Sequence, residues 1–478
     1  SFEGQIGTLV REAVQNSLDA RAEGEALVDC RFSVCELSGS HLTRFKAGMA
    51  WEQLEDNLSA VPEKRGGRGI QLALRQIEQT GQLRILVIED RCTKGLPSPE
   101  FRRNDDEPNS FCALVRDTLY SDKTSVDAGG SYGLGKSLLW AFSGIKTVLF
   151  STTYPGEGGS NRHRMIGRTS LPFHETPDDG ACTGKGWFGV QDPSSDQRCA
   201  VSIYDEDAQA HAADCMCARD QRDHGLSIVI VGLSEPGEDA KTLEEIADSI
   251  QEAALRSFWP ALSRSQLSVS VTVEENDQVT KKLRAEPAND PGYAVAATLL
   301  HKFDQGELQE GATLTKGQSG MRWVEHAIPK RVTEATHGKL TGKCAVLVRV
   351  LDDDEVGGPL DEQIVRFRKP GMIVGTRRRR GLVLNAKPYI AVVLAGLATD
   401  APHAEQAEWF LRSAEPPEHE SWTHKTRAIG ENYAMGSKKA LGDLTNAIEK
   451  AVKDLIGHRE PTGGRAPQRL LNKLPFGS

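Results

Sequence analysis

The 478-residue sequence predicts an α+β fold in at least two domains. Three observations carry that prediction. The opening segment repeats apolar residues at helical spacing, with Leu9, Ala13, Val14 and Leu18 free to face a sheet. Leu83 to Asp90 is a run of leucine and β-branched residues that reads as a buried strand, and Gln266 to Val273 alternates with period two, as a half-buried strand does. A mass of 52.1 kDa exceeds what one hydrophobic core usually serves.

In chain order, the first element is a helix over residues 5–22. Glu12, Asn16 and Asp19 stand four and three apart in it, so they form one polar stripe. A carboxylate and a carboxamide one turn apart suit a metal-nucleotide site: Asn16 to hold a hard cation through oxygen, Glu12 to orient or deprotonate a water. The plainer alternative is a solvated helix face. A strand near Leu27 to Leu37 and helices near 50–60 and 68–79 follow. The next strand delivers Asp90 to its end, where open α/β sheets place ligand groups and where a carboxylate can accept from the exocyclic amine of adenine. An acid capping a turn is the alternative there. Residues 97–130 carry prolines, glycines and many charges, as a mobile loop over a nucleotide would.

The glycine run that closes this loop admits two phosphate-binding readings. Gly130, Ser131, Tyr132, Gly133, Leu134, Gly135, Lys136 and Ser137 satisfy the P-loop pattern of glycine, four residues, glycine, lysine and serine. A P-loop follows directly on a buried strand, however, and Ser121 to Ala128 is polar. The downstream strands Lys146 to Ser151 and Leu226 to Gly232 also lack the terminal acid that a P-loop protein needs. What survives the contest is the chemistry: Gly130, Gly133 and Gly135 let the backbone approach phosphates, and a helix opening at Lys136 points its N-terminal amides at them.

With these residues together, the chain resembles the GHKL ATPases, the group of DNA gyrase, a heat-shock chaperone, the sensor histidine kinases and mismatch-repair MutL. Glu12 followed by Asn16, Ser17, Leu18, Asp19 and Ala20 is most similar to the MutL and MORC branch. The resemblance implies a Bergerat-type ATP-binding α/β sandwich over residues 1–240, with an ATP lid at 97–135. It also implies roles. Glu12 would activate the attacking water, Asn16 would ligate Mg2+, and Asp90 would read adenine. ATP contacts would extend to Asp19, Gly95, Gly130, Gly133, Leu134, Gly135, Lys136, Ser137 and Ser227, the last in a strand opening at Gly225. Two departures stand out. Asp90 is followed by Arg91, Cys92, Thr93 and Lys94 before Gly95, one glycine short of the family motif, and Leu226 occupies the place of a threonine, leaving Ser227 as the substitute hydroxyl.

Residues 154–224 form a long insertion between two expected sheet strands. Cys199, His211, Cys215 and Cys217 within it match no standard zinc spacing, and free, partly buried thiols are expected. A helix near Lys241 to Phe258 leads into a second α/β domain, 241–400, with strands at 266–273, 344–350 and 389–394. The resemblance implies a transducer-like domain that sends a lysine back to the γ-phosphate. Lys369, on a turn set by Pro370 and Gly371, is the candidate, with Arg368 the alternative and a solvated turn the plain reading. Arg377 to Arg380 offer a DNA or phosphate contact, or a merely solvated run. The C-terminal segment, 401–478, predicts a long helix from Ala428 to Ile456 with Leu441, Leu444, Ile448, Val452 and Leu455 on one stripe.

A net charge of −9 argues against broad nonspecific coating of nucleic acid. Nine cysteines without a disulfide framework, and no secretory or membrane-spanning segment, lead to an expected cytoplasmic setting without membrane contact. A chain that opens at Ser1 and enters a helix at once is expected to have been trimmed or processed. The combined expectation is an Mg2+-dependent ATPase whose lid closure promotes dimerisation or partner remodelling in a DNA-related process such as repair or defence against foreign DNA. The alternatives are a chaperone-like or signalling switch acting on a protein, and a nucleotide-binding pseudoenzyme.

Overall fold

Helical periodicity and sheet pleating account for most elements of the structure, a computed structural model. It describes residues 5–102, 108–117, 138–178, 180–182, 184–195, 199–220, 222–236, 241–311, 313–333, 340–378, 387–416, 421–433 and 435–457. The chain divides into two units, Ser1–Pro287 and Ala288–Ser478. The fold is mixed α+β, with a mixed sheet in each unit and helices at the C-terminal end.

The first unit opens with α1 (Gln5–Asp19), β1 (Val28–Ser38), α2 (Gly39–Gly48), α3 (Trp51–Ala60), α4 (Arg68–Thr80) and β2 (Gln82–Arg91). Strands β3 (Ser143–Pro155), β4 (Asn161–Ser170), β5 (His174–Thr176), β6 (Gly180–Cys182), β7 (Lys185–Phe188), β8 (Val190–Gln191), β9 (Ala200–Val201) and β10 (Ile203–Tyr204) follow. Then come α5 (Asp205–Asp214), β11 (Gly225–Leu233), α6 (Leu243–Ser263), β12 (Leu267–Glu275) and β13 (Gln278–Arg284). Among the described residues one sheet runs in the order β10-β4-β3-β11-β2-β1-β12-β13, with β7 added beside β4. Its pairings are antiparallel except for β1 with β12, which is parallel.

Register fixes which residues share a side. Val87, Val229 and Leu149 pair across the strands, so they share one face with Ile85, Leu83 and Cys35. That face is covered by α2, α3, α4 and α5 through Phe45, Trp51, Leu58, Ile70, Leu74 and Ala208. Asp90, Ile88 and Phe32 point to the opposite face. There α1 packs against α6, a helix that starts at a capping box in which Thr242 Oγ1 accepts from the Glu245 amide and Glu245 Oε2 accepts from the Thr242 amide.

Three expectations about domain layout are corrected. The first unit ends at Pro287, not at residue 240, because β12 extends the sheet beside β1 and α6 packs on β12. The period-two strand is real, but it belongs to the first unit. The 154–224 segment does run between two neighbouring sheet strands, β3 and β11, and its own strands β4, β7 and β10 widen the same sheet. Residues 97–102 and 108–117 are packed against that sheet edge rather than forming a loose cover, with Phe111, Cys112 and Val115 buried. Residues 103–107 and 118–137 lie outside the described residues.

Glu100 holds that packed segment in place. Its Oε1 is ion-paired with Arg164 Nη2 at 2.8 Å and accepts from the Tyr204 hydroxyl at 2.8 Å and from the Ser202 amide at 3.0 Å; its Oε2 accepts from Arg116 Nη2 at 2.5 Å. The Arg164 guanidinium lies 3.3 Å from the Phe111 ring centroid. Burial pushes the Glu100 carboxyl up, but Arg164 and the hydrogen bonds from Ser202 and Arg116 outweigh it and hold the group at about 2 instead of 4.5. Because the folded value is the lower one, this stabilisation is full above pH 4.5 and is lost as pH falls toward 2. Glu100→Gln is therefore expected to cost about 3 kcal/mol in urea unfolding at neutral pH, as breaking a buried pair does. The gap from wild type should narrow as the titration moves below pH 4.5. A gap that stays constant with pH would rule this account out.

The second unit contains α7 (Ala294–Asp304), β14 (Ser319–Ile328), β15 (Leu340–Val350), β16 (Gln363–Arg368), β17 (Met372–Arg378), β18 (Tyr389–Leu394), α8 (Ala404–Ser413), α9 (Arg427–Asn432) and α10 (Ser437–Ile456). Its sheet runs β14-β15-β18-β16-β17. Leu441, Leu444, Ile448, Val452 and Leu455 join Val346, Val348, Val393 and Phe410 in its core. The apolar stripe of α10 is thus spent inside the unit, so α8, α9 and α10 close over the sheet rather than standing apart, and the long helix expected from Ala428 is two helices.

Candidate functional site

Helix α1 presents the polar stripe as expected from its spacing. Leu9, Val10, Val14 and Leu18 are buried, Glu12 is half-buried, and Asn16 and Asp19 are exposed. Its C-terminal end is stitched to the segment after β2: the Ala22 amide donates to Cys92 O at 3.0 Å, the Lys94 amide donates to Ala20 O at 2.8 Å, and Arg21 bridges Thr93. Ser17, next to Asn16, closes the gap from the inside, its hydroxyl donating to Asp90 Oδ2 at 3.0 Å. The helix that carries the stripe is therefore tied directly to the strand-end carboxylate.

Asp90 is buried and largely satisfied. Its Oδ1 accepts from the Thr93 hydroxyl at 2.6 Å and from the Leu226 amide at 2.8 Å. With Ser17 on Oδ2, three of roughly four acceptor positions on a carboxylate are in use, which leaves one for a donor from outside. Cys30 pairs with Asp90 across the strands, and burial, then the Asp90 charge, push its thiol well up, so it is no nucleophile at neutral pH.

Two glycines make the packing around Asp90 possible. Gly95 has φ +61°, and a Cβ there would come within 2.6 Å of Thr153 O and 2.8 Å of Thr152 Oγ1. Gly225, with φ +150°, lets the Asp90 carbonyl and carboxylate and the Arg219 guanidinium approach where a Cβ would collide with all three. Gly95 thus packs on the end of β3 and beside the start of β11, at the far end of the segment that Asp90 begins.

Ser227 is corrected. It pairs with Glu89, so its side chain lies on the face opposite Asp90, where it is fully buried and accepts from Arg219 Nη1 at 2.8 Å. Leu226, half-buried, is the residue of β11 on the Asp90 side. Reading the pleat outward from Asp90 would have found this, but it requires knowing that β11 lies beside β2. Ser17, Thr93 and Arg219 were also missed, and only Ser17, inside the helix motif, left a signal in the sequence.

The other candidates fall elsewhere. Gly130, Gly133, Leu134, Gly135, Lys136 and Ser137 lie outside the described residues. Arg368, the alternative to Lys369, is committed: its guanidinium is buried between Glu408 Oε1 at 2.8 Å and Glu415 Oε2 at 2.7 Å. Lys369 is exposed on the turn between β16 and β17 of the second unit. Arg377 and Arg378 end β17, and Arg379 and Arg380 lie outside the described residues. All nine cysteines are free thiols. In the set weighed for zinc, His211 Nδ1 is engaged with Gly48 O, and Cys215 and Cys217 are buried, with burial pushing Cys217 up to about 12. Among the described residues no group of His, Cys, Asp or Glu is placed to hold a metal ion unaided, and no helix is long and apolar enough to cross a membrane.

A cavity of about 610 Å³ opens on the other face of the sheet, against Leu54, Asn57, Leu149, Gly167, His174 and Phe188. Leu149 and Gly167 pair with each other on the face opposite Asp90, so this space is separate from the α1 site. Two pairs of polar groups at its wall satisfy each other, His174 Nε2 with Asn57 Oδ1 and Thr147 with Thr169.

No protein-family model matches the chain, and no curated protein does. Among solved structures the chain is similar to one described as the N-terminal domain of a DNA repair protein, with 11% identity, covering 73% of this chain and 70% of that one, at a TM-score of 0.27. A superposition this loose carries no functional weight.

Proposed function

We propose that the first unit binds Mg-ATP between α1 and the end of β2 and hydrolyses it slowly, as a conformational switch. The observation that carries this reading is the Ser17–Asp90 hydrogen bond, because it sets a polar helix stripe of Glu12 and Asn16 beside a carboxylate with one acceptor position to spare. Asp90 would accept from the adenine amine, a donor that the keto oxygen of guanine cannot supply. Asn16 offers a single exposed amide oxygen, which fits an ion arriving with phosphates and its own waters better than a dedicated protein cage. That ion would neutralise phosphate charge. Glu12 would take the proton of the water that attacks the terminal phosphorus, as the bond to the leaving diphosphate breaks.

The similarity of the helix motif to MutL and MORC supports dimerisation and a DNA-related role. Titration with a non-hydrolysable ATP analogue and magnesium tests the core of the reading: saturable, magnesium-dependent binding is expected, and none would remove it. DNA-stimulated turnover that weakens with salt would favour the DNA role, while turnover indifferent to DNA would favour a protein partner.

A further inference from the structure

The segment between β3 and β11 ends in a residue that none of the roles above uses. Arg219 is nine-tenths buried, and its guanidinium spans three pieces of chain. Nη2 donates to the backbone carbonyl of Asp90 at 2.6 Å and to Asp223 O at 3.3 Å; Nη1 donates to the Ser227 hydroxyl at 2.8 Å and lies 3.8 Å from Glu89 Oε1. Among the described residues its Nε is buried without a hydrogen-bond partner, so the side chain is held through its two terminal nitrogens.

The geometry of the strands says what those nitrogens do. Glu89 and Ser227 lie on the face opposite the Asp90 carboxylate, so Arg219 grips the last peptide of β2 from behind. Thr93, Leu226 and Ser17 hold the same residue from the front through its side chain. Asp90 is thereby fixed at both its carbonyl and its carboxylate. A buried guanidinium is expensive to desolvate, and one hydrogen bond short of full satisfaction it is more expensive still. Mere joining of two neighbouring strands, already paired by their backbones, would not require it.

We propose that Arg219 is a positioning residue for base recognition: it sets the direction in which the Asp90 carboxylate presents its remaining acceptor position, and so determines the preference for adenine over guanine. This rests on the nucleotide-binding function proposed above. It also gives the widened edge of the sheet a task, since the chain that builds β4, β7, β10 and α5 returns through Arg219 to the back of the site.

The test compares wild type with Arg219→Gln, Arg219→Lys and Ser227→Ala, measuring KM and kcat for Mg-ATP and Mg-GTP together with melting temperature. Arg219→Gln is expected to raise KM for ATP roughly ten-fold, the effect of one lost charge-assisted hydrogen bond, with kcat within about three-fold of wild type. KM for GTP should change little, so the preference between the two bases narrows. Arg219→Lys, able to reach the Asp90 carbonyl, should restore part of it. Ser227→Ala should show a weaker form of the same pattern, and if Arg219→Gln does not fold these two variants decide the matter. A folded Arg219→Gln with unchanged base preference, or with ATP and GTP weakened equally alongside a lower melting temperature, would reduce Arg219 to a structural brace. Wild type that binds neither nucleotide would overturn the functional reading itself, and this inference with it.

Discussion

Glu12→Ala will retain Mg-ATP affinity within about three-fold of wild type and lose at least roughly a hundred-fold in turnover, the contribution of a positioned general base. The separation of effects follows from placement. Glu12 stands a turn before Asn16 on α1, whereas base recognition is assigned to Asp90, which Ser17 links to a later part of the same helix. Alanine is the best helix former, so α1 should persist and keep Asn16 on its exposed stripe. Phosphate release under single-turnover conditions, beside equilibrium binding of the non-hydrolysable analogue, measures both halves. Equal turnover in wild type and variant would remove Glu12 as the base. Nucleotide binding with equally negligible turnover in both would make the protein a binding-only switch.

Asp90→Asn will lower ATP affinity by about a hundred-fold or more while leaving the first unit folded. The fold can absorb this change. Asparagine keeps an oxygen where Thr93 and the Leu226 amide donate, and places its NH2 toward Ser17. The Ser17 hydroxyl can then turn to Ala13 O, 3.0 Å away, and accept from the new amide. The structural cost is on the order of 1 kcal/mol, one rearranged hydrogen bond. The ligand has no such escape, because the outward acceptor has become a donor facing the adenine amine. Calorimetric titration with the ATP analogue, with a melting curve as control, gives the result. Unchanged affinity in a folded Asp90→Asn protein would mean that the base is read elsewhere.

How much of this was legible in the sequence depended on how far apart the partners lie. The stripe of Glu12, Asn16 and Asp19 follows from the helix period alone, and so do the buried residues Leu9, Val14 and Leu18. The strand ending near Asp90, the strand Tyr389–Leu394 and the part of β15 from Cys344 to Val350 follow from apolar runs. Helix α2 was missed because Gly39, Ser40, His41 and Thr43 leave its apolar face thin, with Leu42 and Phe45 as its main buried contacts. Residues 97–102 and 108–117 read as loop because prolines and charges dominate the stretch. Their order comes from Glu100 meeting Arg164 and Tyr204, and such a network leaves no periodic trace.

Ser227 and the domain boundary failed for a related reason. A strand's own sequence tells which residues alternate, but not which side a distant neighbour will occupy, and a shift of one position exchanges the faces. Only the pairing of β11 with β2 places Ser227 behind the sheet and Leu226 in front of it. Only the parallel pairing of β12 with β1 moves that strand into the first unit.

By itself the sequence determined the types of element, the polar stripe of α1 and the chemical kinds of group available, since these depend on neighbours within a few residues. The tertiary structure alone decided that Ser17 meets Asp90 across 73 positions and that Arg219 reaches it across 129. Such contacts are set by the register and stacking of whole elements, where cores of packed side chains, rather than any local preference, select the arrangement.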